Sequence, residues 1–481
     1  MNDLRLLEVL IDTGGELRGT LPEATVFRWT ERDARKVVPG DLFVAIQGER
    51  FDGHQFVGDA AARGALAALV RREWADAQDD VPLPLIVTDE PVRALQRLAA
   101  ARRAQLPVTV VGVTGSVGKT SAKEVIAAVT GQRFRTYRSP GNLNNEIGLP
   151  LSLLEMPLDT EVAVLEMGGA YAFGELTLLA RIARPRIGVV TNVFPVHLER
   201  MGTIEAIAET KAELVDALPI DGVAVLNGDD KRVRAMAGRC RGRVVTYGLG
   251  RDNDVRGDKV VTAALEGTSF RLHLAGETYH LKVPLVGGHA VQLALAGIAV
   301  GHALGMHISE MLPGFEDPAI QVRLLLVPGP NGAQLIDDTY NSSTPSALSA
   351  LELLAELRRL ATTRRAIAVL GDMRELGSVS EQEHRIVGRR AGQVVDLLVT
   401  YGDLARTMAA EAELAARVDG ERLDVTSFGL DQRRELIAFL LAELREGDVV
   451  LLKGSRGLNM EAFVDALRRD RPSGDANVPE G

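Results

Sequence analysis

Short apolar runs rich in valine, isoleucine and leucine alternate with segments of helical spacing along most of this chain, and the alternation predicts an α/β protein. Asp41–Ile46 leaves a Pro39-Gly40 turn as a strand, Gln55–Arg63 follows as a helix and Ala65–Val70 as a second strand. Val108–Val113 is a β-branched run ending in a glycine-rich turn, and Ala122–Val129 then has helical composition. Glu161–Met167, Ile187–Thr191 and Val223–Asn227 read as further buried strands, and Ile204–Leu218 as a helix. Up to about His280 polar and apolar residues alternate as in a hairpin, and Pro284–Leu304 reads as a glycine turn and a helix. Gln334–Asn341, Ala366–Leu370, Val395–Tyr401 and Asp448–Leu452 are strands alternating with helices, the first of them Pro345–Leu360, which is the pattern of a doubly wound domain.

A length of 481 residues accommodates about three such domains, divided at 1–104, 105–315 and 316–470. The tail over 471–481, rich in Pro, Ser, Gly, Asp and Asn, is predicted to be disordered. The net charge of -10 comes from interspersed acidic and basic residues, which argues against nucleic acid as a partner and suits small anionic ligands held locally. The single cysteine, Cys240, cannot form an internal disulfide, and no apolar stretch is long enough to span a bilayer. The expectation is a cytoplasmic protein, and a monomer, since nothing signals oligomerisation.

Chemistry concentrates where strands end. Thr114, Gly115, Ser116, Val117, Gly118, Lys119, Thr120 and Ser121 connect the Val108 strand to its helix as a phosphate cradle would: glycines bring backbone N–H groups to phosphate oxygens, Lys119 supplies a cation and Thr120 a hydroxyl for Mg²⁺. A nucleoside triphosphate is the expected guest, although Val113 replaces the first glycine of the general pattern. Glu166 closes a neighbouring strand, where a carboxylate is a good Mg²⁺ ligand. The loop carrying Asn142, Asn144 and Asn145 between Gly141 and Gly148 can grip a polar substrate or simply turn the chain. Asp52, Gly53 and His54 lie in a polar loop that suits an anionic ligand or plain solvation. His197 reads equally as a ligand or a satisfied loop histidine, and Lys211, on a helix with a largely charged face, as a surface salt-bridging lysine.

In this order along the chain, these segments resemble the Mur ligase family. Thr114 to Thr120 matches that family's own phosphate loop, which lacks the first glycine. Gly40 to His54, Gly141 to Gly148, Leu165 to Gly168, His197 to Glu199, Asp337 to Asn341, Leu370 to Gly377 and Lys453 to Arg456 follow, so the resemblance covers essentially the whole chain. It implies a small N-terminal α/β domain for a UDP-sugar, a central phosphate-loop ATPase domain and a C-terminal Rossmann-like domain. It also implies ATP-dependent joining of D-alanyl-D-alanine to a UDP-N-acetylmuramoyl tripeptide through an acyl phosphate. On that resemblance Thr120 and Glu166 hold Mg²⁺, His197 a second metal, and Lys211 is carbamylated to assist it. His289 and Arg323 contact the nucleotide, Asp337, Tyr340 and Asn341 close over it, Arg35 and the loop through His54 face the UDP-sugar, and Asn142, Asn144, Asn145, Lys453 and Arg456 contact substrate. Ala34, Phe194, Val196, Ala290, Leu293 and Ser343 depart from the family pattern. They leave open a paralogous amide ligase acting on another carboxylate, or a nucleotide-binding regulatory protein without turnover.

Overall fold

Along each buried strand, neighbouring residues enter opposite cores, and this period of two explains how the sheets are layered. The computed structural model describes residues 4–48, 51–169, 172–196, 198–263, 267–286, 289–317, 320, 326–359, 363–420 and 422–468. His197, Arg323 and the tail predicted to be disordered lie outside them. The chain divides into two units: one comprises 1–193, 208–247 and 296–314, the other 194–207, 248–295 and 315–481.

Besides the short antiparallel pair of Leu4–Arg5 and Val26–Phe27, the first unit contains two larger arrays of strands. Glu16–Arg18, Leu85–Thr88, Ala67–Arg71, Leu42–Val44 and Thr30–Glu31 stand in that order, parallel except for the first pair. Thr136–Arg138, Val162–Glu166, Thr109–Thr114, Ile187–Val190, Val223–Asn227 and Arg243–Gly248 form a run of parallel strands. Leu42, Val44 and Leu69 join one core with Val110, Ala163 and Leu165 of the second sheet, while Phe43, Ala68 and Val70 enter another. The helix Pro91–Gln105 contributes Ala94, Leu95, Leu98 and Ala99 to the shared core. Pro91 at its start and basic residues in its last turn suit the two ends of a helix.

In the second unit Val255–Ala263, Gly267–Leu274 and Glu277–Val283 form an antiparallel meander, so the predicted hairpin is present with a further strand before it. A second sheet has the order Leu326–Pro328, Gln334–Asp338, Asp448–Lys453, Arg365–Gly371, Leu397–Tyr401 and Asp424–Phe428, parallel apart from the first pair. Ala366, Ala368 and Leu370 pack on one side with residues of the Thr344–Arg358, Ser380–Val394 and Ala405–Asp419 helices. Ile367 and Val369 pack on the other with Leu436, Leu440, Phe463 and Val464. This is the doubly wound arrangement that the alternation predicts.

Arg103 ties helix ends together within the first unit. Its guanidinium is almost fully buried and donates to the carbonyls of Ala183 at 2.8 Å, Leu106 at 3.0 Å and Val108 at 3.0 Å. Ala183 ends the Glu175–Ala183 helix and Leu106 caps Pro91–Gln105, so one cation satisfies orphan carbonyls at two helix C-termini. Arg103→Met would strand those carbonyls in the interior, and should lower stability by about 2–3 kcal/mol, read as an earlier midpoint in denaturant unfolding.

Candidate active site

The Thr109–Thr114 strand lies between Val162–Glu166 and Ile187–Val190, so the carboxyl ends of three parallel strands meet where the phosphate loop begins. Gly115 has φ 148°, and a Cβ there would lie 2.0 Å from Thr191 Oγ1, so only glycine fits. The loop is pinned from the same side: Val117 N–H donates to Asn192 Oδ1 at 2.8 Å, while Asn192 Nδ2 and Thr191 Oγ1 donate to the Val117 carbonyl at 2.9 and 3.0 Å. Ser116 N–H donates to the Asn192 carbonyl, and Lys119 Nζ to the carbonyls of Gly115 and Ser116. Gly118, with φ 78°, then starts the Lys119–Thr130 helix, whose first turn carries Thr120 and Ser121. A preshaped loop running into a helix N-terminus, with a lysine over it, is a site for phosphate oxygens.

Glu166 is buried at the end of the adjacent strand. Its Oε2 accepts from Thr120 Oγ1 at 2.6 Å and its Oε1 from Asn144 Nδ2 at 2.7 Å, and its N–H donates to Ser139 Oγ. One carboxylate beside a hydroxyl, at the helix start where β- and γ-phosphates would lie, is the sparse oxygen set that Mg²⁺ uses with phosphates. The residues present therefore fit that ion. Asn144 also accepts Gly168 N–H through its carbonyl at 2.7 Å, and Thr114 Oγ1 donates to the Gly168 carbonyl at 3.1 Å. The neighbouring asparagines differ in use: Asn145 Oδ1 accepts Gly148 N–H and starts the Gly148–Glu155 helix, while the Asn142 carbonyl accepts Asn144 N–H.

Lys211 corrects an expectation. It is 3% exposed, and Nζ donates to the carbonyls of Gly169 at 2.5 Å and Gly168 at 3.2 Å, so it is no surface salt-bridging residue. Burial first, and the Lys119 charge second, pull its amine down to about 7 against the opposing pull of Glu175 and Glu213. The signal was in the sequence: Ile207, Lys211 and Leu214 share one helical face, and the two apolar members are buried with the lysine.

In the N-terminal loop, His54 is also buried, Nδ1 lying 2.6 Å from Asp52 Oδ1 and Nε2 accepting from Arg71 N–H at 3.0 Å. Both ring nitrogens are thus spent on shaping the loop. A Cβ on Gly53 would come within 2.7 Å of the Ile46 nitrogen, which is why the chain turns on glycine there. Arg35 is held by Asp33 through Nε and Nη2, with its side chain 85% exposed. In the second unit Lys453 is 1% exposed and donates to Asp338 Oδ2 at 2.7 Å and the Asn341 carbonyl at 2.9 Å, joining two adjacent strand ends. Asp337 Oδ1 accepts from Thr339, and the Arg456 guanidinium stands 5.6 Å over the Tyr340 ring. His289 precedes the Ala290–Ala303 helix and its carbonyl accepts Leu293 N–H.

Two of the departing residues have local reasons. Ala34 is buried in the first unit's second core, and Ser343 caps the Thr344–Arg358 helix with Ser346. Thr191, Asn192 and Lys123, absent from the expected set, are contacts the folded loops depend on. For the first two, their place just after a strand of a parallel sheet was the available sign.

Family models match in chain order: "Mur ligase family, catalytic domain" at residues 31–111, "Mur ligase middle domain" at 113–301 and "Mur ligase, glutamate ligase domain" at 322–456. The UDP-N-acetylmuramoyl-tripeptide–D-alanyl-D-alanine ligase of Bacillus subtilis (strain 168) is 36% identical over 462 residues, 94% of this chain and 96% of the relative. That of Escherichia coli (strain K12) is 32% identical over 464 residues, 95% and 96% of the two chains. Among solved structures, MurF from Acinetobacter baumannii superposes with TM-score 0.81 at 27% identity, covering 96% of this chain and 98% of its own. The MurF ligase of Thermotoga maritima in complex with ADP gives TM-score 0.73 at 28% identity, covering 91% and 96%. Similarity on this scale, running from end to end and carrying the phosphate loop that lacks a first glycine, makes the chain a member of the Mur ligase family.

Proposed function

We propose that this protein is the ATP-dependent ligase that adds D-alanyl-D-alanine to a UDP-N-acetylmuramoyl tripeptide in peptidoglycan precursor synthesis. The near full-length match to ligases of that name carries the reading. The joined Thr120, Glu166 and Asn144 support it, because they set a nucleotide site and a polar-substrate loop on one carboxylate. Residues 1–104 would receive the UDP-sugar, 105–315 the ATP, and 316–470 the amine. Among the described residues no helix is long and apolar enough to cross a membrane, and a cytoplasmic setting would supply ATP.

The tripeptide carboxylate attacks the γ-phosphorus, ADP leaves, and an acyl phosphate forms. The amine of D-alanyl-D-alanine then adds to the acyl carbon, and the tetrahedral intermediate expels phosphate. The difficulty of the first step is that two anions must meet. Lys119 and the loop N–H groups offset charge on the γ-phosphoryl, and they are oriented before it arrives. Thr120 and Glu166 would hold Mg²⁺, which supplies Lewis-acid polarisation of the same group. His197 would hold a second metal, and Tyr340, Asn341 and Arg456, with His289 and Arg323, the nucleotide and amine side. Lys211, its amine pulled down to about 7, would be able to take up CO₂ in its neutral form, and its carbamate would be the anion that assists the second metal.

Purified protein with ATP, Mg²⁺, the UDP-muramoyl tripeptide and D-alanyl-D-alanine should release phosphate only when both acceptor substrates are present; release independent of either would overturn the reading. Lys119→Ala should lower that rate by at least about a hundredfold with the fold intact by circular dichroism. For Lys211 the sign follows from its depressed pKa. The neutral amine gains population as pH rises through about 7, so bicarbonate should stimulate turnover of CO₂-stripped enzyme increasingly from pH 6 to 8, and Lys211→Arg should abolish the stimulation.

A further inference from the structure

Lys123 lies one helical turn beyond Thr120, and its side chain is 0% exposed. An ammonium taken wholly out of water is costly unless each of its three N–H bonds finds an acceptor. Here each does. Nζ donates to the Ser139 carbonyl at 2.6 Å and the Gly141 carbonyl at 3.0 Å, and it lies 3.0 Å from Glu124 Oε1. The other Glu124 oxygen meets Arg138 Nε at 2.9 Å, so the residue before Ser139 is gathered into the same cluster.

What Lys123 grips is the start of the asparagine loop. Ser139 is fixed on its other side as well, its N–H donating to the Val164 carbonyl and its Oγ accepting from Glu166 N–H. Gly141 turns with φ 50°, and the loop then delivers Asn144 Nδ2 to Glu166 Oε1. The helix that opens under the phosphate loop is therefore fastened, at its second turn, to the loop whose asparagine shares the metal-site carboxylate. No single contact with substrate is needed for such a lysine to matter.

We propose that Lys123 is a positioning residue for the muramoyl-peptide substrate: its ammonium sets the course of residues 139–144 and thereby the presentation of the asparagine loop to the acceptor peptide. This rests on the ligase reading above. ATP contacts the phosphate loop, whose own pins are Thr191 and Asn192, so loosening the asparagine loop acts on the peptide side first.

The test is steady-state phosphate release by full-length Lys123→Met, which keeps the side-chain volume and removes the donors. KM for the UDP-muramoyl tripeptide should rise about tenfold or more, while KM for ATP and for D-alanyl-D-alanine stay within about twofold. Lys123→Arg, which keeps charge and donors, should recover part of the loss. Equal rises in all three KM values, or an unchanged tripeptide KM, would overturn the proposal, since a general loss of order has no reason to single out one substrate. If Lys123→Met does not fold, Gly141→Ala decides the matter. It strains the φ 50° turn without emptying the buried site, and a Cβ there meets no neighbour. The same selective rise is expected, and its absence refutes the role. Unmodified enzyme run in parallel separates this failure from that of the ligase reading, because it must show phosphate release dependent on both substrates.

Discussion

The arrangement depends on one carboxylate. Glu166 is 2% exposed, and a carboxylate so placed must have both oxygens engaged or it does not stay buried as an anion. The Thr120 hydroxyl engages one oxygen and the Asn144 amide the other, at distances typical of charge-assisted bonds. Because Thr120 belongs to the phosphate helix and Asn144 to the asparagine loop, satisfying one buried charge fixes two functional segments relative to each other. The strand that carries Glu166 pairs directly with the strand that feeds the phosphate loop, so the anchor sits on rigid backbone.

That backbone in turn relies on close approaches that only certain residues permit. Gly115 is pressed against Thr191, and Asn192 holds Val117 by both its N–H and its carbonyl. Catalysis of phosphoryl transfer is mostly positioning and charge compensation, so donors that need no rearrangement when the phosphates arrive matter more than any single reactive group. The doubly wound sheet of the second unit uses the same device more simply: Lys453 is buried between Asp338 and the Asn341 carbonyl and so joins the ends of two neighbouring strands.

The fold was largely legible because the strands are buried on both faces and read as unbroken valine and isoleucine runs, which leave little ambiguity about period or number. Helix starts were less legible. The phosphate helix begins at Lys119, not Ala122, because its first turn is built of polar residues chosen for ligands and not for helical periodicity. In the site, motif order singled out Thr120, Glu166 and Asn144, which the structure brings into contact, but sequence could not say that Asn145 Oδ1 takes the first N–H of the following helix or that His54 joins Asp52 of its own loop to the Arg71 strand end. Those assignments depend on which partner comes within 3 Å, and spacing along the chain carries no such information. Lys211 was recoverable from the apolar face it shares, whereas Lys123 was not. The helix Lys119–Thr130 is buried on nearly every side past its first turn, so a lysine within it breaks no periodic rule.

The two buried lysines show how similar burial leads to different chemistry. Lys123 has three acceptors, one of them a carboxylate. Among the described residues Lys211 donates to two carbonyls, and burial and the like charge of Lys119 pull its amine down to about 7. At such a site the charge is wrong for the amine but not for an anion. A carbamate on Nζ would keep one N–H donor for the Gly169 carbonyl and turn the repulsion from Lys119 into attraction. Glu175 and Glu213, which favour the ammonium, would then oppose the modified form. Their charge would limit how far a carbamate is favoured without a cation, so its formation would depend on a metal held at the phosphate site.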